Sequence, residues 1–327
     1  MIAKPRKTPL YILKLQALLR RLPPSHPKVP QITEELTKRM AGFKGELAAD
    51  YQLSLIDHPN RVILTDLRLP HALTHFQMDT LIISPKAAVI IEVKNIAGTI
   101  YFDPKFNQLI RRKDGQETAF ADPVLQSRRL EFQFSEWLRK NHFPALPIHT
   151  LIVISNPQTI IETPSAHSAA LAKKVIHAQM LPFELKLLEA QYKKVFLTEK
   201  ELEKMARSLN RANEEIDVQI TNKYGILHSE LVKGVLCPDC SGRFERYKGG
   251  WLCSGCQKKN KWAHLEALND YRLLIGSTIT NKKIREYLSL VSPSSATKLL
   301  QSLNLKSSGQ NKGRVYELEL QEKSTPS

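Results

Sequence analysis

The sequence predicts an α/β protein with a mixed core in its first half, a small cysteine-bounded module and a helical C-terminal domain. Three observations predict this. Apolar residues recur with helical spacing over 31–56 and then in short strand-like runs at 61–67, 76–84 and 88–94. The cysteines fall as two CxxC pairs between 237 and 256. Two helical segments, each opened by a capping hydroxyl, end the chain. With 327 residues, several domains are expected. The expected division is 1–30, an N-terminal helix and linker; 31–165, the α/β core; 166–232, a connecting α/β region with no assigned role; 233–264, the cysteine module; 265–321, a winged-helix-like domain; and 322–327, a disordered tail.

Taken in order, the apolar stretch from Leu10 to Leu19 is interrupted by Lys14 and Gln16. That makes it an amphipathic helix rather than a secretory signal. Prolines crowd the linker at 23–30. Leu36, Met40, Phe43, Leu47, Tyr51 and Leu55 line one face of the next helix, which Gly42 and Gly45 are expected to dilute and break locally. After the three strands come a hairpin (100–102 with 108–110), a helix over 124–139 opened by Pro123, and a buried strand at 148–155. Further on, 174–180 reads as a strand, and 198–211 as a helix whose Thr198 and Glu201 stand in capping-box positions.

The bulk numbers narrow the function classes. A hydrophobic content of 42% excludes a disordered chain, and the absence of 18 consecutive apolar residues excludes a membrane-spanning helix. A formal charge of +16 favours a polyanionic partner, since basic side chains on phosphates release counterions; a generally basic surface is the alternative. Four cysteines are too few for a disulfide framework, and their spacing points to reduced thiols and the cytoplasm.

The sharpest chemical signal lies in two of the strands. Gln77-Met78-Asp79 and Ile91-Glu92-Val93-Lys94 set three charges among residues that bury, which is costly without compensation. Glu92 and Lys94, two apart, share a strand face. A two-residue turn at Pro85-Lys86 pairs Ser84 with Ala87 and brings Asp79 opposite Glu92; a four-residue turn brings Asp79 opposite Lys94, and only an odd-length turn sends it to the other face. Facing carboxylates repel. A divalent cation held by both, with the Val93 carbonyl as a further hard ligand, converts the repulsion into coordination. Lys94 beside it then orients water or balances phosphate charge, as a phosphodiesterase requires. The competing reading makes Asp79 and Glu92 rim charges with Lys94 as their ion-pair partner.

Gly42-Phe43-Lys44-Gly45-Glu46, Phe76-Gln77-Met78-Asp79, Ile91-Glu92-Val93-Lys94-Asn95 with Gly98, and Asp122-Pro123-Val124-Leu125-Gln126 together resemble the NERD (nuclease-related) family over about residues 38 to 150. The resemblance implies a PD-(D/E)xK nuclease-like core with a mixed central sheet flanked by helices. It also implies Glu46 as the helix glutamate near the site, Asp79 as the metal-binding aspartate, Glu92 and Lys94 as the (D/E)xK pair, and Gln126 as support or substrate contact. Met78 stands where the superfamily has proline.

Cys237, Cys240, Cys253 and Cys256 form CxxC, twelve residues, CxxC, a spacing that closes a structural zinc ribbon with four thiolate ligands. Redox pairs and inert thiols are the alternatives. Gly242, Gly249 and Gly250 suit a hairpin between the knuckles. Lysines and arginines interleave with Phe244, Tyr247, Trp251 and Trp262. Those aromatics are either stacking platforms for single strands or the packing of a small core. Behind the ribbon, Thr280 and Ser292 cap two helices, and 314–318 alternates like a strand, with Lys306, Lys312 and Arg314 as a wing. A dimerising or protein-binding helical tail fits the same pattern.

The expected activity is Mg2+-dependent (or Mn2+-dependent) hydrolysis of DNA by Glu46, Asp79, Glu92, Lys94 and Gln126, with zinc-ribbon and helical modules recruiting substrate. The rivals are a non-catalytic DNA-binding or regulatory protein and an adaptor for repair or recombination proteins. Oligomeric state is left open.

Overall fold

A computed structural model describes residues 2–57, 60–240 and 242–320. The expected tail at 322–327 and the Lys312 side chain lie outside the described residues. The chain forms two compact units that are not contiguous in sequence, one of 1–8 with 38–215 and one of 9–37 with 216–327.

From the N-terminus, β1 (Ile2–Lys4) and α1 (Leu10–Arg21) precede α2 (Val29–Ser54), within which the division between units falls. The helix begins at the end of the stretch read as linker: Pro30 stands in its first turn, where a missing N–H costs nothing. Gly42 and Gly45 do not break it. Gly45 has a packing role instead, because a Cβ there would lie 2.7 Å from both Asn95 Cβ and Ser155 Oγ. The glycine lets α2 approach the ends of two core strands.

Next come β2 (Val62–His71), β3 (Thr74–Ile83), β4 (Ala88–Lys94), β5 (Thr99–Asp103), β6 (Gln108–Lys113), β7 (Gln116–Ala121) and α3 (Pro123–Lys140). They are followed by β8 (Ile148–Ile154), β9 (Ile160–Glu162), α4 (Ser165–Ala172), β10 (Val175–His177), α5 (Leu181–Gln191) and α6 (Glu199–Ala212). The strand expected over 174–180 is only β10, after which the chain turns helical. The main sheet has the order β1-β2-β3-β4-β8-β10. Its β2–β3 and β3–β4 pairs are antiparallel, and β1–β2, β4–β8 and β8–β10 are parallel. This is a mixed sheet covered on both faces. Leu130, Phe134, Trp137 and Leu138 of α3, with Leu202, Met205 and Leu209 of α6, pack in the cluster that holds Ala88 and Ile90. Ala49 and Leu53 of α2, with Leu181 and Leu185 of α5, pack in the cluster that holds Val89, Ile91 and Val93. Burial on both faces explains the continuous apolar run of β4, and each such side chain contributes about 1.5–3 kcal/mol on leaving water. β7, β6, β5 and β9 form a second sheet in that order.

In the second unit, α1 packs with α7 (Ile220–Tyr224) and α8 (His264–Leu274). Arg20 and Arg21 both hold the buried Asp270 carboxylate, and Lys14 pairs with Asp217. β11 (Val235–Leu236), β12 (Arg243–Tyr247), β13 (Gly250–Cys253) and β14 (Lys259–Asn260) form one small antiparallel sheet. The chain turns between β12 and β13 through Lys248 (φ 44°) and Gly249 (φ 81°), the paired left-handed conformation that two-residue hairpins favour. Another sheet has the order β15-β17-β16, from β15 (Thr278–Thr280), β16 (Ser307–Ser308) and β17 (Val315–Glu317). Between β15 and β16 run α9 (Asn281–Leu288) and α10 (Pro293–Ser302). Thr280 and Ser292 cap them as expected, accepting from the Lys283 and Ser295 amides, each cap contributing about 1 kcal/mol. Among the described residues no helix is long and apolar enough to cross a membrane.

Candidate functional site

The β3–β4 hairpin turns at Pro85-Lys86, with the Ser84 amide donating to the Ala87 carbonyl at 2.9 Å. The ladder runs Ile83↔Ala88, Ile82↔Val89, Leu81↔Ile90, Thr80↔Ile91, so the next position sets Asp79 across from Glu92. This is the register of the two-residue turn.

Asp79 stands where the alternation of its strand breaks. Leu64 and Leu67 on β2, and Met78 and Leu81 on β3, are three apart yet belong to one buried cluster; on a regular strand such residues face opposite ways. Asp66, which faces Asp79 in register, has φ of 49°, and the ladder passes over this position from Thr65↔Thr80 to Leu67↔Met78. The Asp79 carboxylate accepts the Val93 amide at 2.8 Å, tying the two strand ends through a side chain where the ladder stops.

Glu92 is 5% exposed. Its Oε1 accepts from Lys94 Nζ at 2.8 Å and from Gln126 Nε2 at 2.6 Å. Gln126 Oε1 in turn accepts from Lys94 at 3.0 Å, closing a three-residue ring. Gln126 lies in the first turn of α3, which is fixed by Asp122 accepting the Val124 amide and by Pro123 after it. Two of the three Lys94 N–H groups are thus used, and the third is free of this ring.

The site has a member that sequence reasoning missed. Arg6, with its side chain 2% exposed, donates from Nη1 to Glu46 (2.5 Å) and from Nε and Nη2 to Asp50 (2.7 and 3.1 Å). Its Nη2 also donates to the Asp79 carbonyl and to Thr80 Oγ1, both at 2.9 Å. Glu46 and Asp50 are four apart on α2 and so share a helix face, a signal that was legible. Arg6 was not, because it lies in a basic N-terminal run that reads as solvated charge.

Acids outnumber bases here: Glu46, Asp50, Asp79 and Glu92 face Arg6 and Lys94. The Asp79 carboxyl is held well above the usual carboxylate range, first by burial, then by Glu92 and Glu46; the Val93 amide and Lys94 oppose this. Glu46 is raised too, by burial first, against the pull of Arg6. Arg6 itself is raised: burial opposes its charge, but Asp50 and Glu46 outweigh it. Hard oxygens with surplus negative charge suit a divalent cation of the Mg2+ class. The acids are not, however, a compact set of three ligands. Among the described residues only the cysteines gather that closely.

All four cysteine sulfurs lie within 4.8 Å of one another. Cys237 and Cys256 are 3.7 Å apart, and Cys240 and Cys253 3.4 Å. A tetrahedral zinc with Zn–S near 2.3 Å sets sulfurs about 3.8 Å apart, so the donor set fits. A Cβ on Gly242 would press to 3.1 Å from Cys240 Sγ and 3.2 Å from Cys253 Sγ, so glycine keeps room for the thiolates. The Cys256 amide, foremost, draws the Cys253 thiol down to about 7. The aromatics divide between the core and the surface. Phe244 and Trp251 are core, while Trp262 (52% exposed) and Tyr247 (39%) face outward under Lys261, Lys248 and Lys259.

Comparison with curated proteins and with solved structures gave no match. Comparison with family models gave one that covers α2 from Ala41, the carboxylate strands, α3 and β8: residues 41–155 of this chain match NERD, the nuclease-related domain.

Proposed function

We propose that the first unit is a metal-dependent nuclease that hydrolyses phosphodiester bonds in DNA, on a PD-(D/E)xK nuclease-like core. The observation that carries this reading is the pair Asp79 and Glu92 at one register position of two buried strands, with the Lys94 ammonium 2.8 Å from Glu92. Asp79 and Glu92 would hold Mg2+ or Mn2+. Such an ion, when bound, polarises the phosphate and eases deprotonation of water. Lys94, anchored to Glu92 and Gln126, turns its remaining N–H to the attacking water or a phosphate oxygen. Gln126 fixes the rotamers of both. Glu46 adds negative charge beside Asp79.

In the second unit the cysteines would bind structural zinc, while Tyr247 and Trp262 with their lysines would stack on exposed bases. The helices α9 and α10 with the sheet β15-β17-β16 read as winged-helix-like, a second means of holding DNA. These surfaces also favour a second reading, a protein that grips DNA without cutting it. Incubating the chain with single- and double-stranded DNA and Mg2+ or Mn2+, beside Lys94→Ala, separates the two. Cleavage lost in the variant supports the nuclease. Cleavage that survives the substitution rejects the site, and salt-sensitive binding without cleavage supports the second reading.

A further inference from the structure

We propose that Arg6 is a positioning residue of this site: its guanidinium fixes Glu46 and the Asp79 segment in one geometry, so that metal binding depends on an N-terminal segment outside the matched domain. The inference rests on the nuclease reading. Every donor nitrogen of Arg6 is used, on four residues from two elements: Glu46 and Asp50 on α2, Asp79 and Thr80 on β3. A planar fork with fixed donor directions sets angles as well as distances, which a lysine ammonium does not.

The placement matters as much as the number. Arg6 takes the backbone carbonyl of Asp79, not its carboxylate, and only Oε2 of Glu46. Asp79 Oδ1, whose partner oxygen accepts the Val93 amide, and the other Glu46 oxygen are left to the site. Arg6 therefore stands behind the acids rather than among them. It joins a helix to a strand at the position where the β2–β3 ladder is interrupted, and where backbone pairing does not fix Asp79. The segment that delivers it is itself anchored. β1 pairs with β2, Lys4 Nζ donates to the Thr65 and Asp66 carbonyls at 2.8 and 2.5 Å, and Thr65 Oγ1 donates to the Lys4 carbonyl at 2.9 Å.

Mn2+ titration calorimetry on the full chain tests this, using wild type, Arg6→Ala and Arg6→Lys, with and without millimolar guanidinium; urea serves as the control. Outer partners that orient metal ligands are typically worth about 10–100-fold in affinity. Arg6→Ala is expected to lose Mn2+ affinity in that range and to regain it with guanidinium but not with urea. A general packing defect would not be rescued in that way. Should Arg6→Ala not fold, Arg6→Lys keeps the charge and is expected to fold and bind Mn2+ more weakly than wild type. Wild-type affinity in whichever variant folds overturns the role of Arg6 and leaves the nuclease reading intact. A wild-type chain that binds no Mn2+ overturns both.

Discussion

Asp79→Asn should stabilise the metal-free protein while removing its response to metal. The amide keeps the oxygen that accepts the Val93 N–H at 2.8 Å and is nearly the same size. What it removes is a negative charge beside Glu92 and Glu46. Two carboxylates about 5 Å apart across a ladder repel by about 3 kcal/mol at an effective dielectric constant near 20. Lys94 returns part of this, and partial exposure screens more, leaving a gain of about 1–2 kcal/mol, or a few degrees in Tm for a domain of this size. The pH dependence has a definite sign. Asp79 is raised in the folded state, so it favours folding at low pH and disfavours it once pH has risen through its folded pKa. The gain should grow as pH rises toward the folded pKa of Asp79 and vanish as pH falls into the ordinary carboxylate range. The assay is thermal denaturation in chelator and in Mn2+. A ligand at about 100 times its Kd stabilises by about 2.7 kcal/mol, which wild type should show and Asp79→Asn should lack. A lower Tm for the variant in chelator, or an undiminished Mn2+ response, refutes the electrostatic account of the site.

Three further expectations follow from particular contacts. Gly45→Ala should cost about 1–3 kcal/mol by overpacking, since Ser155 Oγ can rotate away but Asn95 Cβ cannot; urea denaturation reads this, with Gly42→Ala, which meets open space, as control. Trp262→Ala should weaken single-stranded DNA binding by about 1–3 kcal/mol with little change in stability, whereas buried Trp251→Ala should cost about 3–5 kcal/mol of stability. His264, whose Nδ1 accepts the Trp251 indole N–H at 3.1 Å, is pushed down to about 4 by burial and by Arg246. Its stabilising neutral form is present above the ordinary histidine pKa and lost as pH falls through 4, costing about 2 kcal/mol between pH 7.5 and 5. NMR of its ring protons should give a midpoint near 4, and one near 6.5 would contradict the burial.

The α/β pattern was legible because β2, β3, β4 and β8 carry apolar runs and α3 and α6 carry a helical period with caps. What stayed hidden had weak or misleading signals. β7 is exposed along its length and carries no apolar alternation. α5 carries apolar residues on several faces, with Phe183 and Leu187 exposed beside buried Leu181 and Leu185, so no single period stands out. Gly45 reads as a helix breaker until its neighbours across space are known. At the site, Asp79, Glu92 and Lys94 were readable as charges out of place in buried strands, while the choice among the possible turns, and so the register, came from the structure.

The sequence by itself determined where the apolar core strands run, where α6, α9 and α10 are capped, and that the cysteines come as two CxxC pairs. It misplaced the buried face of the helix expected over 31–56, where Leu47, Tyr51 and Leu55 are exposed while Ala49 and Leu53 are buried. The properties it determined are local, fixed by period, spacing and cap within a few residues. Only the tertiary structure decided that Arg6 reaches Glu46, Asp50 and the Asp79 carbonyl, that Gln126 completes the ring with Glu92 and Lys94, and that Lys14, Arg20 and Arg21 belong with Asp217 and Asp270. Such pairings join residues tens to hundreds of positions apart. They depend on how whole elements pack, and no local signal in the chain encodes which cation meets which acid.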